Sequence, residues 1–185
     1  MARVGYKRYE DATGELKEAY DALLSKSGNI TNMKLVLGNS WTVYDAYIGW
    51  YRVWDKLVEV VGERAAIIFA HSISTTNGCI LCSLFFIQDI KDLGENPADL
   101  VLDEKETLLV ELGQTAVKNP NGVSDALISD LKKYFNDEEL VVIVGFAGEM
   151  IMYNVFNSIL DVDVDDRLLP IKGEFKPETW REKDK

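Results

Sequence analysis

Apolar residues recur at intervals of three and four along almost all of this 185-residue chain, and no long stretch alternates apolar with polar. That spacing places side chains on one face of a helix, whereas a half-buried strand needs a period of two. The chain is long enough for one well-filled core and too short to demand two. An all-α, single-domain helical bundle over residues 1–185 is therefore expected.

The elements follow from the breaks. Asp11 or Thr13 caps a helix through Glu15, Leu16, Ala19, Tyr20, Leu23 and Leu24, and Gly28 to Thr31 interrupts it. A short apolar turn from Met33 to Leu37 stops at Gly38. Ser40 opens a helix to about Lys56, along which Trp41, Tyr44, Tyr47, Ile48, Tyr51 and Trp54 recur, and Gly62 ends the connection after it. Glu63 to Thr76 and Cys79 to Leu93 are two further helices. Asp103 to Lys118 is amphipathic, and Asn119-Pro120-Asn121-Gly122 is a turn. Ser124 and Asp137 are read as N-caps of helices over about Asp125–Tyr134 and Glu138–Leu160. From Asp161 the chain turns polar, with Pro170 and Pro177, and is expected to wrap the surface as an irregular tail to residue 185.

A net charge of −11 argues against nucleic acid or an anionic membrane surface as the main partner. Glu149, Asn154 and Asn157 interrupt the apolar run from Leu140 to Leu160, which reads as a buried helix better than as a membrane span. Residues Met1 to Arg8 hold no apolar h-region, so no secretory signal is expected and the Asn29-Ile30-Thr31 sequon reads as chance. A cytoplasmic protein is the expectation, and there a cysteine pair reads as redox-active or metal-binding before it reads as a structural staple.

Both cysteines stand in Cys79-Ile80-Leu81-Cys82, directly after Asn77-Gly78. Gly78 supplies the turn that lets a new helix start at the pair. A helix N-terminus offers unpaired N–H groups and partial positive charge, which favour thiolate over thiol. The alternative is two small buried apolar side chains. Zinc fits poorly: a closed site needs four ligands, and the chain has two cysteines and one histidine.

That histidine, His71, shares a four-residue stripe with Glu63 and Ile67. If the stripe faces the cysteines, His71 can act as their base; otherwise it is a packed or surface side chain. Glu149 either pairs with Arg52, Arg64 or another cation, across a subunit contact included, or shuttles protons. The row from Trp41 to Trp54 is core, or else the wall of an apolar pocket beside the thiols. Asp161-Val162-Asp163-Val164-Asp165-Asp166 fails as a calcium loop, having Asp166 where glycine belongs and Lys172 where glutamate belongs.

The run from Gly62-Glu63-Arg64 through Asn77-Gly78-Cys79-Ile80-Leu81-Cys82 resembles the alkylhydroperoxidase D-like, or carboxymuconolactone decarboxylase, family. Ala12 to Tyr20 is similar to that family's first helix, and Glu138 to Asn157 to its long closing helix. The resemblance implies an all-helical protomer assembling as a homotrimer or homohexamer. It also implies peroxide reduction by the pair, with Cys82 attacking and Cys79 resolving the sulfenic acid to a disulfide. The family's peroxidase relay is missing here: Ile67 stands at its glutamate position, and Leu81 and Phe86 at its two histidine positions.

The leading expectation is a thiol oxidoreductase acting on hydroperoxides or protein disulfides through Cys82, Cys79 and His71, with no metal or organic cofactor. The alternatives are a non-redox lactone-decarboxylase-like enzyme and an inert helical interaction protein.

Overall fold

A computed structural model describes residues 2–176. In chain order the helices are α1 (Gly14–Ser27), α2 (Asn32–Leu37), α3 (Trp41–Gly49), α4 (Tyr51–Val61) and α5 (Glu63–Asn77), followed by α6 (Ile80–Asp92), α7 (Glu104–Lys118), α8 (Asp125–Leu131) and α9 (Asp137–Ile159). Short 3₁₀ turns cover Tyr9–Asp11, Pro120–Gly122 and Asp166–Glu174, and there is no strand among the described residues. The all-α expectation holds.

Helix α5 is the axis. Every residue from Ala65 to Thr76 except His71 is buried, because α4, α6, α7 and α9 all pack around it. Gly113 on α7 makes the closest approach possible. A Cβ there would lie 2.8 Å from Ser72 Oγ and 2.9 Å from Ile73 Cγ1. Arg64, at the start of α5, bonds Glu95 in the loop before α7 at 2.6 Å and also pairs with Glu106 of α7, whose backbone belongs to a capping box with Asp103. Arg64 is thus committed to holding α5 against α7 and is not the partner of Glu149.

Local sequence explains most helix ends. Ser124 Oγ accepts the Leu127 N–H at 3.1 Å. The cap of α9 is Asn136, one residue before the expected Asp137, since Asn136 and Glu139 bond each other's backbone reciprocally. Thr13 stands at the N-cap of α1 without a side-chain bond. Helix α8 stops at Leu131 instead of Tyr134, because the N–H groups of Lys133 and Tyr134 turn to carbonyls three residues back.

Two expectations need larger correction. The helix from Ser40 to Lys56 is two helices that part at Gly49-Trp50, and the second runs on to Val61, taking in the segment expected as a connection. At the break the Val53 N–H bonds the Trp50 carbonyl at 2.8 Å, a tighter turn than an α-helix makes, and the Arg52 guanidinium takes the Gly49 carbonyl. The described part of the expected irregular tail, residues 161–176, is partly ordered. Leu168 is fully buried, and the Asp166–Glu174 turn lies against α6. Asp163 accepts the Ala2 N–H and the Tyr6 hydroxyl, and Asp165 accepts the Asn32 N–H at 2.9 Å. The acid run that fails as a calcium loop therefore ties the N-terminal segment and α2 to the stretch after α9. Pro177 and the rest of the expected tail lie outside the described residues.

Helix α9 is long and apolar enough to cross a membrane by length and composition. In this fold it packs on α4 and α5 and places Leu140, Ile143, Phe146, Ala147 and Met150 in the core.

Candidate active site

The turn between α5 and α6 is set by Gly78, whose φ of +74° suits glycine. The Gly78 N–H bonds the Thr75 carbonyl at 3.1 Å and the Cys79 N–H bonds the Ser74 carbonyl at 3.0 Å. This Schellman closure ends α5 and leaves Cys79 as the next helix's N-cap. Cys79 Sγ accepts the Cys82 N–H at 3.4 Å, so the first thiol caps the helix that carries the second.

From the other side α9 supplies polar contacts. Asn157 Nδ2 donates to Cys82 Sγ at 3.2 Å, and the Asn157 and Ser158 side chains both bear on Cys79. A hydrogen bond from the Cys82 thiol holds Cys79 below its ordinary thiol pKa, while burial pushes Cys82 well above. Both sulfurs are buried, with Cys79 2% and Cys82 6% exposed, and only Cys82 reaches the cavity described next. Of the two thiols Cys79 is thus the more readily ionised, and access belongs to Cys82. Passing one proton from Cys82 to Cys79 joins the two properties on the outer sulfur, as in any coupled pair.

The cavity, about 360 Å³, lies between α2, α4, α6 and α9. Tyr51 and Trp54 enter from α4, and Leu81, Cys82, Phe85 and Phe86 from α6. Phe146, Glu149, Tyr153 and Asn157 come from α9. Trp54 packs on Phe86 and Phe146, and Tyr153 on Tyr47 and Tyr51. The aromatic row divides accordingly: Tyr44 sits in a small second core with Leu16 and Tyr20, whereas Tyr51 and Trp54 wall the cavity.

Glu149 stands in that wall, 4% exposed, and its Oε2 has no hydrogen-bond partner among the described residues. No ion pair among the described residues reaches it. Arg52 is turned to the Gly49 carbonyl and Arg64 is committed elsewhere, so neither of the two arginines expected as partners pairs with Glu149. Burial raises the Glu149 carboxyl to about 7. Asp89, in the same cavity with Lys34 and Arg167, is likewise raised by burial, to about 6.

His71 is elsewhere. It lines a different cavity with Thr75, Ile87, Asn96, Pro97 and Ala98, and burial lowers it to about 4. The stripe it shares with Glu63 and Ile67 does not face the cysteine cavity, so the structure brings together Cys79 and Cys82 but not His71. Glu149 was singled out in the sequence without a place. Asn157 was read only as a break in an apolar run, although Glu149, Tyr153 and Asn157 are spaced by four and form one stripe.

No protein-family model matches this chain, and no curated protein does. Solved structures share its architecture over nearly its whole length. The apo form of the debrominase Bmp8 aligns with a TM-score of 0.76 at 15% identity, over 92% of this chain and 96% of that one. A peroxidase-related protein from Ralstonia eutropha JMP134, an alkylhydroperoxidase AhpD core, gives 0.73 at 13% identity over 96% and 98%. Another peroxidase-related protein, from Silicibacter sp. TM1040, gives 0.74 at 16% identity over 95% and 96%.

The chain has the alkylhydroperoxidase D-like fold.

Within an alkylhydroperoxidase D-like fold the missing relay residues acquire positions. Leu81 and Phe86 are carbon in the wall of the cysteine cavity, and Ile67 is buried in α5. The carboxyls present in that wall are Asp89 of α6 and Glu149, the latter brought by a different helix from the one that carries Cys82.

Proposed function

We propose that this chain is a thiol oxidoreductase that reduces a small organic substrate by cycling Cys79 and Cys82 between dithiol and disulfide. The observation that carries the reading is Cys82 in the wall of a ring-lined cavity, with a second, more readily ionised thiol behind it at the same helix start. With a hydroperoxide, Cys82 sulfur bonds one oxygen, the O–O bond breaks and an alcohol leaves, giving a sulfenic acid. Cys79 then attacks that sulfur; the S–S bond forms, the S–O bond breaks and water leaves. Two electrons pass from the sulfurs to the peroxide, and a dithiol, small or protein-borne, restores the pair.

The ring-lined wall favours a second substrate class, a halogenated aromatic ring. The neighbour Bmp8 is a debrominase, and a cysteine-to-alanine variant of it has been solved with 2,3,4-tribromopyrrole. The same two thiols supply the two electrons for exchanging halogen for hydrogen, halide leaving as the disulfide closes.

Self-association belongs to the proposal. Val141, Val144, Val155 and Ile159 line one exposed face of α9, at 72%, 52%, 44% and 59% exposure; such a face favours self-association, and the family resemblance gives its form as a homotrimer or homohexamer. A reducing cytoplasm is the compartment in which the pair is recycled.

The test is intact mass after one equivalent of cumene hydroperoxide, or of a brominated pyrrole, is added to the reduced protein. Loss of two hydrogens in the parent and not in Cys82→Ser supports the reading. A mass unchanged by every such oxidant, with both thiols still titratable after unfolding, overturns it.

A further inference from the structure

We infer that Glu149 is the acid of this cavity, giving its proton to the group that leaves when Cys82 attacks, and that the cavity selects uncharged hydroperoxides carrying a ring over hydrogen peroxide. The inference rests on the thiol reading above and goes beyond it in naming the proton source and the substrate class.

Geometry carries the first half. Tyr153 has a single hydroxyl hydrogen, and it goes to the Tyr47 carbonyl at 2.6 Å. None is left for Glu149, one helical turn before it, whose buried Oε2 has no hydrogen-bond partner among the described residues. A carboxylate there would be buried with an unmet acceptor and no cation, which favours the carboxylic acid in the resting site. The neutral form also agrees with its surroundings: Tyr153 on α9, Tyr47 from α3, Tyr51 from α4 and the cysteine pair from α6 offer it no cation. The cavity's charged groups are Lys34, Asp89 and Arg167. Lys34 and Arg167 bear on Asp165, and Arg167 also bears on Asp89. Tyr51, Glu149 and Cys82 line the same cavity, so acid and sulfur open onto one space.

Chemistry assigns the proton. When Cys82 sulfur bonds the terminal oxygen of ROOH and the O–O bond breaks, the departing RO⁻ is far more basic than a carboxylate and must be protonated. Glu149–H supplies that proton and becomes carboxylate, ROH leaves, and Cys82 is a sulfenic acid. When Cys79 closes the disulfide, the departing hydroxide takes the proton that Cys82 had passed to Cys79, and leaves as water. Glu149 regains its proton from solvent. The polar residues the family uses for this task are absent from the wall, where Leu81 and Phe86 stand instead.

The wall also carries the second half. Trp54, Phe85, Phe86 and Phe146 give an apolar R group surface to bury, and hydrogen peroxide has nothing to place there. An anionic R group would carry its own desolvation cost into this ring-lined space.

Single-turnover oxidation of the reduced, full-length protein tests both halves, followed as loss of thiol with cumene hydroperoxide and with hydrogen peroxide as probes, from pH 5 to pH 9. The parent is expected to react at least about tenfold faster with cumene hydroperoxide, along a bell whose falling limb follows loss of the Glu149 proton. Glu149→Gln should be slower by about a hundredfold at neutral pH and lack that falling limb. Glu149→Asp should retain the limb at reduced height. If Glu149→Gln keeps the parent rate and profile while Cys82→Ser abolishes oxidation, the acid assignment is wrong and the thiol reading stands. Equal rates with the two peroxides overturn the ring selectivity. Thiols inert to both peroxides in the parent overturn this inference and the thiol reading together.

Discussion

Replacing Glu149 by glutamine should stabilise the protein, and more so as the pH rises. Burial lifts the Glu149 carboxyl from its ordinary 4.5 to about 7, so the folded state holds this proton more tightly than the unfolded chain does. The contribution of the group is fully favourable below pH 4.5 and is lost as the pH climbs through 7. At 1.36 kcal/mol per pH unit, charging Glu149 in place costs about 3 kcal/mol above pH 8 and about 1 kcal/mol at pH 5. Glutamine has no such charge and nearly the same shape. Asp89, raised in the same direction, is present in both proteins and cancels from the comparison. Thermal melts of parent and Glu149→Gln at equal concentration, at pH 5 and pH 9, read the effect, at roughly 2–4 °C per kcal/mol for a chain of this size. A gap between the two proteins that does not widen with pH would refute the reasoning, since a carboxyl that titrates normally gains nothing from neutralisation.

Other expectations follow from the same contacts. Asn157→Leu removes the N–H donated to Cys82 Sγ and should slow hydroperoxide oxidation of Cys82 by about tenfold, read by stopped-flow thiol loss; an unchanged rate makes the contact incidental. Gly113→Ala drives a methyl into Ser72 and Ile73 at the α5–α7 contact and should cost about 1–3 kcal/mol in urea unfolding. His71, held neutral by burial and lowered to about 4, makes the folded protein lose about 3 kcal/mol between pH 7 and pH 4, as the unfolded chain takes up the proton first. His71→Gln should flatten that acid loss in melts while leaving thiol oxidation at the parent rate, and a slowed oxidation would return His71 to the site.

The helical fold was legible because the spacing of apolar residues is a local property, and so was the step into the thiol pair, where Asn77-Gly78 announces a left-handed turn that no side chain need confirm. The break at Gly49-Trp50 was hidden because the aromatic row continues at helical spacing across it, although its first half faces a small core with Tyr20 and its second half the cavity. His71 shows the limit of stripe reasoning. Four-residue spacing tells which side chains share a face, but only the packing of α5 within the bundle decides what that face meets. Glu149 shows the converse. An acid in an apolar helix signals a special environment, but its neighbours Cys82 and Tyr51 arrive from α6 and α4, and nothing local encodes that meeting.

The account stands or falls on which sulfur the oxidant reaches. The direct measurement uses Cys79→Ser, in which no second thiol can close the ring: oxidation with one equivalent of cumene hydroperoxide in the presence of dimedone, followed by peptide mapping. The label is predicted on Cys82, and none should form in Cys82→Ser treated alike. Label carried by Cys79 in Cys82→Ser and absent from Cys82 in Cys79→Ser would contradict the account.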